Sequence, residues 1–331
     1  MNVLFITSSR LGDAVLSTGL LDYMIRTMPQ ARITIACGGL PSSLFEGMPA
    51  LERVIILKKR KFHGHWFDLW KQVSGIKWDI VVDLRDSLVS RLVFAKKRFI
   101  FSRHIDRSRH KVEQAAEVMG LDYVPAPRLW ISEAQRHQAA VFIPEGGLVL
   151  AVGPTANWIG KTWPAARFIE IIEFITGKGG LLPDARVAVF AAPGEEEDAR
   201  KVLESVPETR RIDMIAKTDP GTAAAALSRC AFYIGNDSGL MHCAAAAGVP
   251  TVGLFGPSFP HLYRPWGDHT VYAGTPETFD ELTDFENYNP KTLDRSLMTT
   301  LTTEDVIAVL RDFKIPAFFK SLPGDEREAK S

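Results

Sequence analysis

An alternation of short apolar runs with helix-period segments, played through twice, restricts this chain more than any other feature. Val3 to Thr7, Ile33 to Ala36, Val54 to Leu57 and Ile80 to Val82 are apolar runs of strand length. Between the first two, a segment from about Gly12 to Met28 sets Val15, Leu16, Leu20, Met24 and Met28 near helical spacing before Pro29 stops it. Strand-length runs separated by helices read as βαβ units on a parallel sheet. The pattern weakens from about Pro125 to Gly147, where Pro125, Pro127, Pro144, Gly146 and Gly147 frame one short helical stretch. It then resumes with Leu148 to Val152, a helix after Pro164, Val187 to Ala191, a helix after Gly194, Phe232 to Ile234, a helix after Ser238, and Thr251 to Phe255.

The expected organisation is therefore two doubly wound α/β domains, at 1–130 and 148–302, joined by a linker at 131–147. The stretch from about Gly267 to Leu301 reads as irregular. A last helix runs from Glu304 to about Phe313, with Thr302 or Thr303 as N-cap and acidic residues in its first turn. Residues from Pro323 to Ser331 read as a frayed tail. A length of 331 residues agrees with two domains of roughly 150 residues each.

Composition narrows the class. With 46% hydrophobic and 24% charged residues the chain is globular, not disordered. Its net charge of +0 points to no partner and gives no sign of nucleic-acid binding. The three cysteines, Cys37, Cys230 and Cys243, lack the spacing of a zinc or redox motif, which suits a reducing cytoplasm. Met1 to Ile6 has no basic flank and reads as a strand; no apolar run is long enough to span a membrane.

Candidate chemistry gathers at predicted strand ends. In Ile234-Gly235-Asn236-Asp237-Ser238-Gly239-Leu240-Met241-His242, a strand gives way to a helix rich in small residues. The free N–H groups of that helix point into the crevice where a phosphate binds in open α/β sheets. Asp237 or Ser238 is expected to cap the helix, and His242 can add a donor; the plainer role for all three is capping and local packing. Gly153-Pro154-Thr155, continuing through Asn157 to Lys161-Thr162-Trp163-Pro164, sets a lysine beside polar groups at another strand end, which suits a diphosphate. In the first half, Ser8-Ser9-Arg10-Leu11-Gly12-Asp13 follows the first strand, so Asp13 is either a helix-start carboxylate or a proton acceptor.

Basic residues concentrate in the same half. Lys58, Lys59, Arg60 and Lys61 precede His63 and His65, and Arg85, Arg91, Lys96, Lys97, Arg98, Arg103, Arg107, Arg109 and Lys111 form a second group. Solvated faces account for such runs as well as an acidic acceptor on an anionic membrane does. His63 and His65 lack a third ligand at metal-binding spacing, so no metal site is expected.

Arg10-x-Gly12-Asp13, Lys161-x-Trp163-Pro164 and Asp237-Ser238-Gly239-x-x-His242 with Phe255-Gly256-Pro257 together resemble the lipopolysaccharide heptosyltransferase family, glycosyltransferase family 9, over about residues 1–310. The resemblance implies a GT-B fold, two Rossmann-like domains facing across a cleft, with the acceptor on the first and the nucleotide sugar on the second. It also implies a final helix packed back on the first domain, and inverting transfer without a metal or cofactor. Asp13 would be the general base. Thr155, Asn157, Lys161, Glu195, Thr218, Asp237, Ser238, Gly239, Leu240 and His242 would hold an ADP-sugar donor. Glu195 or Glu196 would take the ribose, and Arg10, Gly12, Lys58, Arg60, Lys61 and Arg85 would meet a lipopolysaccharide core or other glycolipid acceptor. The expected enzyme is a cytoplasmic monomer associated with the inner membrane face.

Two departures stand out. The first helix reads Ser17-Thr18-Gly19 where the family has a proline after its small residues, and the Thr155-to-Lys161 loop lacks the usual threonine pair. Competing readings are a nucleotide-sugar epimerase on the same scaffold and a catalytically silent glycan- or nucleotide-binding protein. An NAD dehydrogenase is disfavoured, because no G-x-G-x-x-G follows the first strand.

Overall fold

Strands that are apolar on both faces need cover on both faces. That requirement organises the computed structural model of the chain, which describes residues 1–313. These fall into two units, the first comprising Met1–Glu133 with Asp219–Gly221, the second 134–218 and 222 onward.

In the first unit the order is β1 (Asn2–Ile6), α1 (Leu11–Leu16), α2 (Thr18–Thr27), β2 (Arg32–Cys37), β3 (Leu51–Ile56), α3 (Gly64–Val73), β4 (Trp78–Asp83), α4 (Val89–Leu92), β5 (Ala95–Ile100) and α5 (Lys111–Val118). The strands are parallel in the order β3-β2-β1-β4-β5. Leu4, Ile6, Leu69, Val73, Trp78, Val81 and Val89 pack into one core.

The second unit runs α6 (Glu133–Phe142), β6 (Val149–Gly153), α7 (Ala165–Thr176), β7 (Arg186–Ala191), α8 (Glu196–Ser205), β8 (Arg211–Ile215), α9 (Pro220–Ser228), β9 (Phe232–Asn236), α10 (Gly239–Ala246), β10 (Thr251–Phe255), α11 (Pro260–Tyr263), β11 (Thr270–Gly274), α12 (Phe279–Thr283) and α13 (Thr303–Asp312). Its sheet is also parallel, ordered β11-β10-β9-β6-β7-β8.

In each sheet the chain starts in the middle, winds outward one way, then returns to the other side of its first strand. The neighbours β1/β4 and β6/β9 therefore carry loops that leave in opposite directions, opening a crevice at their carboxyl ends. All three strand-end constellations read from the sequence lie on loops leaving these strands.

Several elements differ from expectation. The segment 12–28 is two helices parted at Ser17, not one. The Ser17 hydroxyl donates to the Ala14 carbonyl (2.7 Å) and shares a hydrogen bond with Thr7 (2.9 Å), while Thr18 Oγ1 donates to the Val15 carbonyl (2.7 Å). Hydroxyls that capture backbone carbonyls in this way divert the helical ladder. Thr18 Oγ1 also accepts from the Arg128 backbone (2.9 Å), and a Cβ on Gly19 would stand 2.2 Å from the Pro125 carbonyl oxygen. The proline-rich segment starting at Pro125 is thus seated on α2, in a place that only small residues leave open.

Lys96, Lys97 and Arg98, read as part of a basic cluster, form the edge strand β5. Lys96 pairs with Asp79 (2.7 Å), and Arg98 donates to the Ser90 carbonyl (2.9 Å). Charged side chains on an outer strand deter pairing with another chain. The stretch read as irregular contains β11, and β8 and α9 had no counterpart in the reading.

The last helix is anchored within the second unit. It starts at Thr302, whose hydroxyl accepts from the Asp305 N–H in a capping box. Val306 and Leu310, one turn apart, are buried in the core of the second unit, and Thr303 Oγ1 bonds Glu170 on α7. Its apolar face is covered by α7 and β11 of the same unit. The tail from Pro323 lies outside the described residues. Among the described residues no helix is long and apolar enough to cross a membrane. All three cysteines are free and buried, and burial pushes the Cys37 and Cys243 thiols up to about 12.

Candidate active site

The loops leaving β6 and β7 enclose a pocket of roughly 510 Å³, lined by Thr155, Asn157, Trp158, Thr162, Pro193, Glu195, Glu197 and Asp198 among others. Thr155 Oγ1 donates to Glu195 Oε2 (2.7 Å), linking the two loops across the pocket. Glu196 is engaged elsewhere: its carboxylate accepts from the Gly194 N–H (2.9 Å), which holds it below the usual glutamate range. Of the two glutamates left open by the sequence, Glu195 therefore lines the pocket.

At the end of β9 the expected cap is absent. No side chain caps α10. The Asp237 carboxylate is instead turned to Lys161, whose ammonium donates to Asp237 Oδ2 (2.8 Å) and to the Asp237 carbonyl (3.0 Å). This pair ties the β6 loop to the β9 loop across the switch point, its side chains 20% and 9% exposed. Asn236 Oδ1 adds a second tie by accepting from the Trp163 N–H (3.1 Å). With the carboxylate so occupied, the first N–H groups of α10 keep their capacity for an anion. Ser238, Gly239 and Leu240 sit half-buried at this helix start, and His242 is buried one turn in. Thr218 lies in the bend after the edge strand β8 and is not among the residues that line the pocket.

Glycine at the strand ends has a steric cause. Gly153 and Gly235 are register partners on β6 and β9, and the buried Tyr233 side chain lies along that face, so a Cβ would stand 2.2 Å and 2.4 Å respectively from its hydroxyl. The close approach at Gly235 extends to the Gly153 carbonyl oxygen, at 2.7 Å. Gly235→Ala is accordingly expected to lower stability by about 1–3 kcal/mol, an overpacking cost, and to loosen the loops that carry Lys161 and Asp237. A thermal melt that superimposes on that of the parent chain would remove this account of the glycine pair.

In the first unit Ser8, at the end of β1, is the hub. Its hydroxyl donates to Asp13 Oδ2 (3.1 Å) and accepts from the Arg10 N–H (3.1 Å) and from Arg85 Nη1 (3.2 Å), which arrives from the end of β4. Gly12 and Asp13 lie in the first turn of α1. Helix α5 packs on α1 and brings Lys111, whose ammonium donates to Gln114 Oε1 (2.9 Å). Burial holds Lys111 below the usual lysine range; the nearby Asp13 carboxylate opposes that shift and Arg107 adds to it.

His65 is held low first by burial, then by the neighbouring charges of His63, Arg85 and Lys59, with Asp68 opposing. Arg85 and Lys59 thus both lie within electrostatic reach of His65. Arg60, though, spends its charge on Asp68 (2.7 Å), and Lys58 and Lys61 remain exposed. In the sequence Ser8 stands out only as part of the β1-end segment and Lys111 only as one of a basic group, neither with a role of its own. A signal for Lys111 existed, since a cation in the first turn of a helix opposes the dipole and asks for a reason. Among the described residues no three His, Cys, Asp or Glu side chains gather as a metal site.

The sequence profile of glycosyltransferase family 9 (heptosyltransferase) matches residues 66–290, well over half of the chain. The chain belongs to that family. As a family 9 glycosyltransferase it is 23% identical over 308 residues to lipooligosaccharide heptosyltransferase 2 of Haemophilus influenzae, covering 81% of this chain and 87% of the relative. It is likewise 23% identical over 306 residues to lipopolysaccharide heptosyltransferase 1 of Pseudomonas aeruginosa, covering 83% and 84%. Among solved structures, a family 9 glycosyl transferase from Veillonella parvula superposes with a TM-score of 0.75 at 23% identity over 94% of this chain and 96% of the other. Escherichia coli heptosyltransferase WaaC with ADP superposes with a TM-score of 0.70 at 19% identity over 95% and 100%. The family 9 chain therefore has the GT-B fold, each of its parallel sheets the core of one Rossmann-like unit.

Proposed function

We propose that this chain is an inverting glycosyltransferase that moves heptose from ADP-heptose to an inner-core sugar of lipopolysaccharide at the cytoplasmic membrane face. The observation that carries the donor half is the pocket between the β6 and β7 loops, with Glu195 on its wall and the Lys161–Asp237 pair and the α10 N-terminus at the adjacent switch point. Carboxylates suit hydroxyl donors, so Glu195, steadied by Thr155, takes the ribose, with Asn157 beside it. Cationic and N–H groups suit the diphosphate, so Lys161, Ser238, Gly239, Leu240 and His242 line its path; Thr218 joins the donor set from the β8 loop.

In the acceptor half, Asp13 takes the proton of the attacking hydroxyl as that oxygen bonds to C1 of heptose and the C1–O bond to ADP breaks on the opposite face. The charge that develops on the leaving diphosphate is met by the lysine and the helix N-terminus, so the scheme requires no metal or cofactor. Inversion needs one base and a stabilised leaving group, whereas a double displacement wants a second close carboxylate as nucleophile. Arg10, Gly12, Lys58, Arg60, Lys61 and Arg85 are assigned to the acidic core acceptor. Supporting the donor choice, E. coli WaaC has been solved with ADP and with ADP-2-deoxy-2-fluoro heptose.

Calorimetry with ADP-heptose, ADP-glucose, UDP-glucose and GDP-mannose tests the reading, followed by transfer to truncated core glycolipids with the product's anomeric configuration read by NMR. Binding confined to ADP sugars, with an inverted product, is the expected result. Equal affinity for UDP sugars would overturn the donor assignment, and conversion of donor without acceptor would replace transfer by isomerisation.

A further inference from the structure

We propose that the α3–α4 face of the first unit docks on an anionic lipid bilayer, with Phe62 at its tip entering the headgroup region. The inference rests on the membrane placement proposed above and deepens it by naming the face that meets the lipid. Phe62 is 98% exposed. It and His63 are consecutive left-handed residues, with φ of 54° and 59°, a conformation costly for any side chain with a Cβ and rare for bulky ones. Within the described chain the ring gains no burial in return for that conformation.

Its neighbours repeat the pattern. Helices α3 and α4 pack on each other, and this layer also leaves Phe67, Leu88, Leu92 and Phe94 more than half exposed. Leu88 and Leu92 stand one turn apart on the outer side of α4, while Val89 and Val93 are buried in the core. Phe67 stacks on Trp70 and lies under Lys71 Nζ (4.5 Å). Exposed apolar side chains interleaved with cations are the composition of a surface that lies in a bilayer interface.

Charge selects the lipid. Residues 58–98 hold eleven Lys or Arg against four Asp or Glu in a chain whose net charge is +0. Three of the acids are spent locally: Asp68 on Arg60, Asp86 on Arg91 and Asp79 on Lys96. The excess is positive, so the complementary surface is an anionic headgroup layer. A soluble acidic protein would match the charge, but would leave a protruding aromatic tip and an outward leucine pair without a use that a bilayer supplies.

Flotation of the full chain with phosphatidylcholine vesicles, with and without phosphatidylglycerol, tests this. Donor and acceptor are omitted, so the result is independent of the transfer reading. Binding that needs phosphatidylglycerol and weakens as salt rises is expected, with Phe62→Ser and the pair Leu88→Ser/Leu92→Ser each lowering the partition coefficient about tenfold. All these side chains are exposed, and unchanged thermal melts would show that the variants fold. Absence of binding at low salt, equal binding to both vesicle types, or indifference to the substitutions would overturn the proposal. So would light scattering that shows a dimer lost in Phe62→Ser, which would give the face to a second copy.

Discussion

Asp13→Asn is expected to lower kcat by about three orders of magnitude while changing ADP-heptose affinity by less than about threefold, because a positioned general base contributes roughly 10²–10⁴ in rate. The substitution is isosteric. Its amide oxygen can still accept from Ser8 Oγ, which the Arg10 N–H and Arg85 anchor from the other side, so the β1 loop keeps its shape. What disappears is a charged oxygen able to take a proton. A Ser8→Ala companion removes the hub and leaves the carboxylate, so its loss in kcat should be smaller and accompanied by weaker acceptor binding. Single-turnover transfer with saturating donor, alongside calorimetry of donor binding, separates the two. Retention of more than about a tenth of parental turnover by Asp13→Asn would dismiss the base assignment.

The fold was legible where strands are buried on both faces. Val3 to Ile6 and Phe232 to Ile234 are continuous apolar runs that have no other comfortable place. It was less legible at the sheet edges. β5, written Ala95-Lys96-Lys97-Arg98-Phe99-Ile100, is an outer strand whose cations face solvent, so its composition speaks of protection rather than of burial. β8 and β11 are outer strands too, and five residues each leave little periodicity to detect. The split at Ser17 was invisible for another reason. It depends on Thr7 sharing the Ser17 hydroxyl and on the chain at Pro125 crossing Gly19, contacts between segments that no local window contains.

The site divides in the same way. Thr155, Asn157, Lys161, Glu195, Asp237 and Ser238 could be picked out as polar groups at strand ends, where an open α/β sheet offers its crevice. Their partners could not. The capping expectation at Asp237 failed because a lysine 76 positions away takes that carboxylate, and the Ser8–Arg85 bond spans 77 positions. The role of Tyr233 in requiring both Gly153 and Gly235 follows from one ring lying across two strands. Sequence position gave the chemistry of each group; sheet order decided which groups meet.

The Lys161–Asp237 pair yields the second large effect. Lys161→Met is expected to lower kcat/KM for the donor by about 10²–10³, the size of losing a charged contact to a leaving diphosphate. Of the three N–H donors on the lysine ammonium, two are spent on Asp237, which aims the group and leaves one for a phosphate oxygen. The same substitution strands the Asp237 carboxylate, whose side chain is 9% exposed, without its ammonium. Breaking a fully buried pair costs roughly 3–5 kcal/mol, and with Lys161 20% exposed the expected loss of stability is smaller, about 1–3 kcal/mol.

Two consequences from one residue invite confusion, and the double variant Lys161→Met/Asp237→Asn resolves it. Neutralising Asp237 as well removes the stranded charge, so the thermal melt should recover most of its loss while donor binding stays weak. If donor affinity recovers together with stability, the lysine serves only to neutralise the aspartate, and the diphosphate must be held by the N–H groups of α10 alone. Persistent weakness in the double variant would instead locate the deficit in the ammonium itself, the cation held at the β6/β9 crevice where the leaving group acquires its charge.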